Sequence, residues 1–252
     1  MAIDEAFAPL AADQLKTTVP GAVIGREIIV LEQTSSTNDA ISHVASTNDP
    51  TSISEGFVVF AEHQTAGRGQ RGNRWESTAG KGLSFSILLR PDIPLAESGR
   101  LTIWAIETIS DVIRSEIGLE PAIKLPNDVQ VNGRKVGGVL VEMRAQNNAP
   151  YLAVVGIGIN VNQGRDDFPA ELQDRAISLA MALGREVDRQ KFALALLRNL
   201  DLKYRQKFAV AKGSDLGSPI AHTTLPRSTP AATTSPAPTT TPDKRAGRFR
   251  TA

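Results

Sequence analysis

The sequence has no cysteine among its 252 residues. This absence excludes disulfide bonds, a cysteine-based metal site and a thiol nucleophile, and it fits a reducing compartment. Histidine is also scarce, because His43, His63 and His222 lie far apart in the sequence and lack the spacing of metal ligands. The sequence therefore offers neither a catalytic thiol nor a histidine cluster for a metal ion.

The sequence also lacks a strong net charge and long apolar runs. Its net charge is +1, so no general basic field predicts nucleic-acid binding. No apolar run reaches the length that spans a bilayer, and the N-terminus lacks the basic flank and apolar core of a signal peptide. We therefore predict a cytoplasmic protein that binds neither nucleic acid nor membranes.

Four short segments rich in β-branched or aromatic residues predict β-strands. They are Glu27–Leu31, Phe57–Glu62, Leu83–Leu89 and Tyr151–Ile159. Apolar residues at three- and four-residue spacing predict amphipathic helices over 98–117 and 189–208. Thr37 and Asn38 are suited to cap a short helix over Asp39–Ala45.

Asp128–Glu142 contains the clearest local signal, since Asn132-Gly133 between two apolar runs predicts a type I′ β-hairpin. Helices together with hairpin-linked strands predict an α+β fold around a mixed, largely antiparallel sheet. We expect a lead-in over 1–24, a catalytic domain over 25–208 and a disordered tail over 209–252. Proline, threonine, serine and alanine dominate the tail, so it has little apolar area to bury.

Residues 67–72 read GRGQRG and follow a predicted strand. A dinucleotide-binding loop of this spacing opens a helix, but the segment that follows has no helical apolar period. A kinase glycine loop is excluded too, because the chain has no HRD or DFG segment. Glycines let the backbone approach an anion, and Arg68, Arg71 and Arg74 suit phosphate or carboxylate. We predict an anion-binding loop, with a solvated turn as the alternative.

Three further polar clusters each also fit a purely structural role. Residues 34–38 (TSSTN) suit a helix start, and residues 124–128 (KLPND) suit a turn. Lys135 follows the predicted hairpin turn, beside two glycines that leave room for a ligand. A lysine at such a place is more often simply solvated.

Five segments in this order resemble the catalytic domain of biotin protein ligases, from about Ile28 to Leu183: TSSTND, EHQTAGRGQRGNRW, KLPNDV, GRKVGGVLVE and VVGIGINVN. The resemblance implies a mixed sheet with helices packed on one side, as in class II synthetases and lipoyl ligases. It implies that biotin carboxylate attacks the α-phosphate of MgATP to give biotinyl-AMP. A lysine of the partner, a biotin carboxyl carrier protein or domain, then accepts the biotin.

The resemblance also implies roles for individual residues. Lys135 and Arg68 are the implied catalytic residues, and Lys135 would bridge the biotin carboxylate and the α-phosphate. The implied biotin-binding residues are Ser36, Thr37, Asn38, Gln64, Arg68, Gly69, Gln70 and Lys135. The implied nucleotide-binding residues are Arg71, Trp75, Lys124, Asn127 and Asn160, and Asp128 is the implied metal ligand.

The sequence departs from the family pattern in three places. Gln70 stands where many members have arginine, Leu125 stands where tryptophan is usual, and residues 209–252 do not resemble the usual C-terminal SH3-like domain. We expect impaired activity if that domain is missing. Residues 1–24 are too few for the helix-turn-helix of members that repress transcription, so no DNA binding is predicted. A homodimer is compatible with the resemblance.

Two other functions stay open. One is a lipoate or octanoate ligase or transferase of the same fold, which the GRGQRG and GRKVGG segments disfavour because lipoyl enzymes carry a different glycine cluster. The other is a protein that binds biotin or biotinyl-AMP without turnover.

Overall fold

The computed structural model describes residues 8–47, 53–146 and 149–208. The tail predicted over 209–252 lies outside these residues. The described residues all belong to the first of the two units into which the chain divides, Met1–Lys212. Within the described part, no helix is long and apolar enough to cross a membrane.

Seven strands and five helices make up the described fold. The strands are β1 Ile28–Thr34, β2 Val58–Gln64, β3 Leu83–Leu89, β4 Pro121–Lys124, β5 Asp128–Val131, β6 Arg134–Gln146 and β7 Ala149–Ile159. The helices are α1 Ala12–Leu15, α2 Thr37–Thr47, α3 Gly99–Val112, α4 Leu179–Leu183 and α5 Arg189–Lys207. A π-helical turn, Ile113–Ile117, extends α3. The two long predicted helices and all four predicted strands are confirmed, with small shifts at their ends.

The strands form one sheet in the order β1-β2-β3-β7-β6-β5-β4. β1 and β2 are parallel, and the other neighbours are antiparallel. The predicted type I′ hairpin joins β5 to β6, because Asn132 and Gly133 both have positive φ angles, 51° and 72°. The predicted mixed, largely antiparallel sheet is therefore confirmed.

The two faces of the sheet carry different helices, since successive strand residues point to opposite sides. Val155 and Ile157 of β7 belong to the large core that also holds α3 and α5. Leu152 and Val154 belong to a smaller core with Ile41 of α2. We expected the helices to pack on one side of the sheet. Helices α3 and α5 do so, whereas α2 packs on the opposite face.

Helix α2 begins at Thr37, two residues before the predicted start. Thr37 and Asn38 therefore lie inside the helix and do not cap it. Ile41 and Ala45, one helical turn apart, are buried against the sheet. This packing fixes the first turn of α2 at the end of β1, with its side chains directed to neighbouring strands.

The segment predicted as a lead-in contributes to the core. Leu10 and Leu15 are buried, and the buried Asp201 of α5 accepts hydrogen bonds from the backbone N–H groups of Val23 and Ile24. Residues 8–24 are therefore held to α5 by both apolar packing and buried polar contacts.

Candidate functional site

A pocket lies on the sheet face that carries α2, beyond the first turn of that helix. Its floor follows two rows across β3, β7 and β6: Ser86–Gly156–Leu140 and Ser84–Gly158–Gly138. The side walls come from the α2 N-terminus and the glycine-rich loop. The lining residues are Ser36, Thr37, Asn38, Gln64, Arg68, Gly69, Trp75, Asn127, Lys135, Gly138, Val139, Leu140, Gly156, Ile157 and Gly158.

Two glycines of β7 let polar and aromatic side chains lie directly on the sheet. A Cβ atom at Gly156 would be 2.3 Å from Asn38 Oδ1, and one at Gly158 would be 2.4 Å from Trp75 Cε2. Any other residue would force these side chains away. The alternating glycines in VVGIGI are the sequence signal for this floor, and no role was predicted for them.

The end of the pocket near α2 is a buried polar network. Gln64 Oε1 accepts from the Thr37 backbone N–H at 2.8 Å and from the Thr37 hydroxyl at 3.1 Å. The Ser86 hydroxyl donates to Asn38 Oδ1 at 2.5 Å and lies 2.7 Å from the Thr37 hydroxyl. These two contacts of Gln64 direct its amide oxygen toward Thr37. No hydrogen bond among the described residues uses the Gln64 amide NH₂ group, which can therefore donate to a ligand acceptor.

The glycine-rich loop is a small hairpin. Arg68 and Arg74 form an antiparallel bridge, and the N–H groups of Gly69 and Trp75 donate to the carbonyls of Asn73 and Gly67. The tip is the 3₁₀ turn Gln70–Gly72. As predicted, no helix follows the glycines, which separates this loop from a dinucleotide fingerprint.

Arg68 binds two carboxylates. Its Nη1 and Nη2 atoms each lie 2.7 Å from a different carboxylate oxygen of Glu142, and Nη2 lies 2.8 Å from Asp39 Oδ1. Burial alone raises the pKa of the Glu142 carboxyl, but hydrogen bonds from Arg68 and Asn38 hold that pKa below its usual value. The Glu142 hydrogen bond in turn raises the pKa of the Arg68 guanidinium. The pair is therefore fully charged at neutral pH.

Lys135 is fixed through its backbone. Its N–H donates to the Arg175 carbonyl and its carbonyl accepts from the Ile177 N–H. The side chain crosses Gly138, where a Cβ atom would be 3.1 Å from Lys135 Nζ. The ammonium lies 2.6 Å from Asp128 Oδ1 and 5.7 Å from the centre of the Trp75 ring, a distance that suits a cation–π contact.

Five of the predicted residues do not line the pocket. Gln70 and Arg71 are at the hairpin tip, and Lys124 is exposed on β4. Asp128 reaches the pocket only through its ion pair with Lys135. Asn160 is buried, and its amide lies 3.3 Å and 3.4 Å from the carbonyls of Ile177 and Lys135. Their assigned roles in ligand binding stay predictions.

Three polar residues of the site were missed by the sequence analysis: Asp39, Ser86 and Glu142. Ser84 and Ser86 interrupt the apolar pattern of β3 at alternate positions, which is a readable sign of a polar patch on one face. Glu142 carried no such sign, because its partner Arg68 is 74 residues away in the sequence.

Gly158→Ala is expected to displace Trp75, because the added methyl group would lie 2.4 Å from its ring. We expect the Trp75 fluorescence to shift to longer wavelength and to become more accessible to acrylamide, while Trp104 stays buried in the core. Gly99→Ala is the control, since nothing lies within 4 Å of its added Cβ. Unchanged quenching in Gly158→Ala would contradict this account of the pocket floor.

Residues 30–160 match the biotin/lipoate A/B protein ligase family, and the chain belongs to that family. The fold, the glycine-rich loop and the hairpin lysine all fall within or beside the matched region.

Several named ligases are similar in sequence to the chain. It is 38% identical over 196 residues to the bifunctional ligase/repressor BirA of Bacillus subtilis, covering 78% of this chain and 59% of that protein. It is 36% identical over 204 residues to the biotin–[acetyl-CoA-carboxylase] ligase of Mycobacterium tuberculosis, covering 79% and 72%. The chain thus spans less than two thirds of the length of its Bacillus relatives.

A solved structure shows the same fold. The biotin protein ligase of Aquifex aeolicus in complex with biotin and ATP superposes with a TM-score of 0.60 and 30% sequence identity, over 72% of this chain and 73% of that one. This likeness confirms the fold class that the sequence predicted.

Proposed function

We propose that the chain is a biotin–[acetyl-CoA-carboxylase] ligase, which converts biotin and ATP into biotinyl-5′-AMP and then transfers biotin to a lysine of a biotin carboxyl carrier domain. The observation that carries this proposal is the convergence on one pocket of Lys135, Arg68 and the polar pair Asn38 and Gln64. Membership of the family and the biotin and ATP bound by the Aquifex relative support it.

The polar network at α2 suits the ureido ring of biotin. That ring needs both hydrogen-bond donors and acceptors within a mostly apolar pocket. The available NH₂ group of Gln64 provides a donor, and Ser36 and Thr37 provide hydroxyls at the same end. Gly69 and Gln70 would lie along the valeryl chain and carboxylate, as the resemblance implies.

Activation requires two anions to meet. The biotin carboxylate must approach the α-phosphate of ATP, and a fixed cation lowers the repulsion between them. Two observations support this role for Lys135: the residue lines the pocket, and its backbone is hydrogen-bonded on both sides. In the first step a carboxylate oxygen bonds to the α-phosphorus and pyrophosphate leaves. In the second step the acceptor amine bonds to the acyl carbon, AMP leaves, and the amine loses a proton.

The nucleotide would lie beyond Lys135. Trp75 and Asn127 line that part of the pocket, and Arg71, Lys124 and Asn160 are the further candidates. Mg²⁺ generally binds one or two carboxylates together with substrate phosphates. Asp128 is one such carboxylate, and no three His, Cys, Asp or Glu residues cluster as metal ligands within 8–47, 53–146 and 149–208. Bound Mg²⁺ would share the phosphate charge.

Incubation with ATP, labelled biotin and a biotin carboxyl carrier domain tests the proposal. We expect label on the carrier lysine and release of pyrophosphate. A second reaction with labelled lipoate and a lipoyl domain should give no label. Adenylate without transfer would instead favour a binding protein without turnover, and label only from lipoate would favour the lipoyl alternative. Homodimerisation, cytoplasmic location and the lack of nucleic-acid binding stay predictions.

A further inference from the structure

The Arg68 guanidinium is the junction of three elements. It belongs to the glycine-rich hairpin, Glu142 belongs to β6 and Asp39 belongs to the first turn of α2. The contact with Glu142 is bidentate, the geometry in which arginine and carboxylate bind most strongly. The Glu142 carboxylate therefore joins the glycine-rich hairpin to strand β6 of the sheet.

The same junction forms a wall of the pocket. Arg68 and Gly69 line the pocket on its inner side. They also line an open cleft on the outer side, together with Ala66, Gly67, Gly72, Asn73, Arg74, Leu140 and Glu142. Arg68, Gly69 and Leu140 line both spaces, so the Arg68 side chain lies at the boundary between the pocket and the cleft.

Glu142 also reaches the polar end of the pocket. Its Oε2 atom accepts from Asn38 Nδ2 at 2.7 Å, and Asn38 Oδ1 accepts from Ser86. The carboxylate thus holds the hairpin and orients the Asn38 amide at the same time. Only an ionised carboxylate can accept from both donors without presenting a hydrogen to either.

We infer that Glu142 is a positioning residue for the proposed ligase: acting through Arg68 and Asn38, it holds the glycine-rich hairpin closed over bound biotin and adenylate. Asp39 has a smaller part, because it makes one contact with Arg68 where Glu142 makes two. This inference rests on the proposed function for its ligands, but the closure of the hairpin can be measured without any ligand.

Glu142→Gln is the test, since it keeps the size of the side chain and removes its charge. In the unliganded protein we expect the amides of Gly69 and Trp75, which close the hairpin, to exchange hydrogen about tenfold faster. Biotin should dissociate about tenfold faster, which corresponds to roughly 1.4 kcal/mol. Because Glu142 does not touch reacting atoms, KM for biotin should rise about tenfold while kcat changes less than twofold.

Three matched variants separate positioning from general stability. Glu76→Gln removes the partner of Arg74 in the same loop and should leave exchange and dissociation unchanged. Glu142→Asp keeps the charge and should recover part of the loss. Asp39→Asn, which removes a single contact, should shift both rates about threefold. In an Arg68→Ala background, Glu142→Gln should have no further effect on hairpin exchange.

Hairpin exchange and biotin dissociation at wild-type rates in Glu142→Gln would overturn the inference, as would a fall in melting temperature with no change in hairpin exchange. If Glu142→Gln does not fold, Glu142→Asp decides by the same two rates, because its shorter side chain draws the carboxylate away from Arg68 and Asn38. A wild-type protein that binds biotin but forms no biotinyl-AMP contradicts the proposed function alone, because the exchange measurement then still tests the role of Glu142.

Discussion

Lys135→Ala is expected to slow biotinyl-AMP formation by about 10²–10³-fold, the usual effect of removing one group that stabilises charge in a transition state. Among the described residues, Lys135 is one of the two cationic residues that line the pocket, with Arg68, and its ammonium lies 5.7 Å from the centre of the Trp75 ring. In the proposed reaction, removing the ammonium leaves the repulsion between the biotin carboxylate and the α-phosphate less compensated. Pyrophosphate release and the yield of adenylate from labelled biotin measure the effect.

The fold should survive this substitution. The two backbone hydrogen bonds of Lys135, to Arg175 and Ile177, do not involve its side chain. The Lys135 side chain is 35% exposed and that of its ion-pair partner Asp128 is 23% exposed. The shorter alanine side chain would open space for water beside the Asp128 Oδ1 atom, which is buried in the wild type. Circular dichroism and the melting temperature should therefore stay close to those of the wild type.

Lys207→Ala is the matched control for Lys135. Lys207 forms an exposed ion pair with Glu107, between α5 and α3, and it is not among the residues that line the pocket. This variant should make adenylate at the wild-type rate. A normal adenylate yield from Lys135→Ala would reject the role assigned to Lys135 and, with it, the central step of the proposed reaction.

Local patterns predicted most of the elements because their causes are local. The Asn132-Gly133 hairpin follows from two residues that tolerate positive φ. The row Phe192, Leu196, Leu200, Tyr204 and Phe208 is buried on one side of α5, as its spacing predicts. Such patterns contain no information on which strands become neighbours, so the insertion of β7 between β3 and β6 could not be predicted.

The site was predicted less completely, for a physical reason. The loop and the α2 start were predicted from their own residue types, and the family resemblance supplied the ligand roles of these segments and of Lys135. Glu142 was not found, because the sequence gives no partner for an acid inside a largely apolar strand until folding brings Arg68 to it. Asn160 was predicted to bind the nucleotide, but in the structure its amide donates to two backbone carbonyls. The sequence alone does not distinguish these two uses of an asparagine.

Arg189 shows how tertiary contacts override a local rule. It is the first residue of α5, where the helix dipole disfavours a cation. Its side chain is only 2% exposed and pairs with Glu62 of β2 at 2.9 Å. It also donates to the carbonyls of Gly82 and Ala8. One guanidinium therefore joins α5 to β2, to the start of β3 and to the N-terminal segment.

Arg189→Ala is expected to lower the free energy of unfolding by about 3–5 kcal/mol, the usual effect of removing one partner of a buried ion pair. The loss arises because the nearly buried Glu62 carboxylate and two carbonyls remain without their donor. Urea unfolding at neutral pH measures this loss of free energy. An unchanged m-value would show that the substitution changes stability and not the compactness of the unfolded state.

Two further variants distinguish the effect of losing this buried ion pair from the effect of losing any arginine charge. Arg165→Ala removes an exposed pair with Asp174 and should change the free energy of unfolding by less than about 0.5 kcal/mol. Combining Arg189→Met with Glu62→Leu removes both buried charges and should recover part of the loss. The recovery should be incomplete, because the N–H of Leu10 donates to Glu62 and would lose its acceptor. If Arg189→Ala destabilised the protein no more than Arg165→Ala, this pair would not be what holds α5 and the N-terminal segment to the sheet.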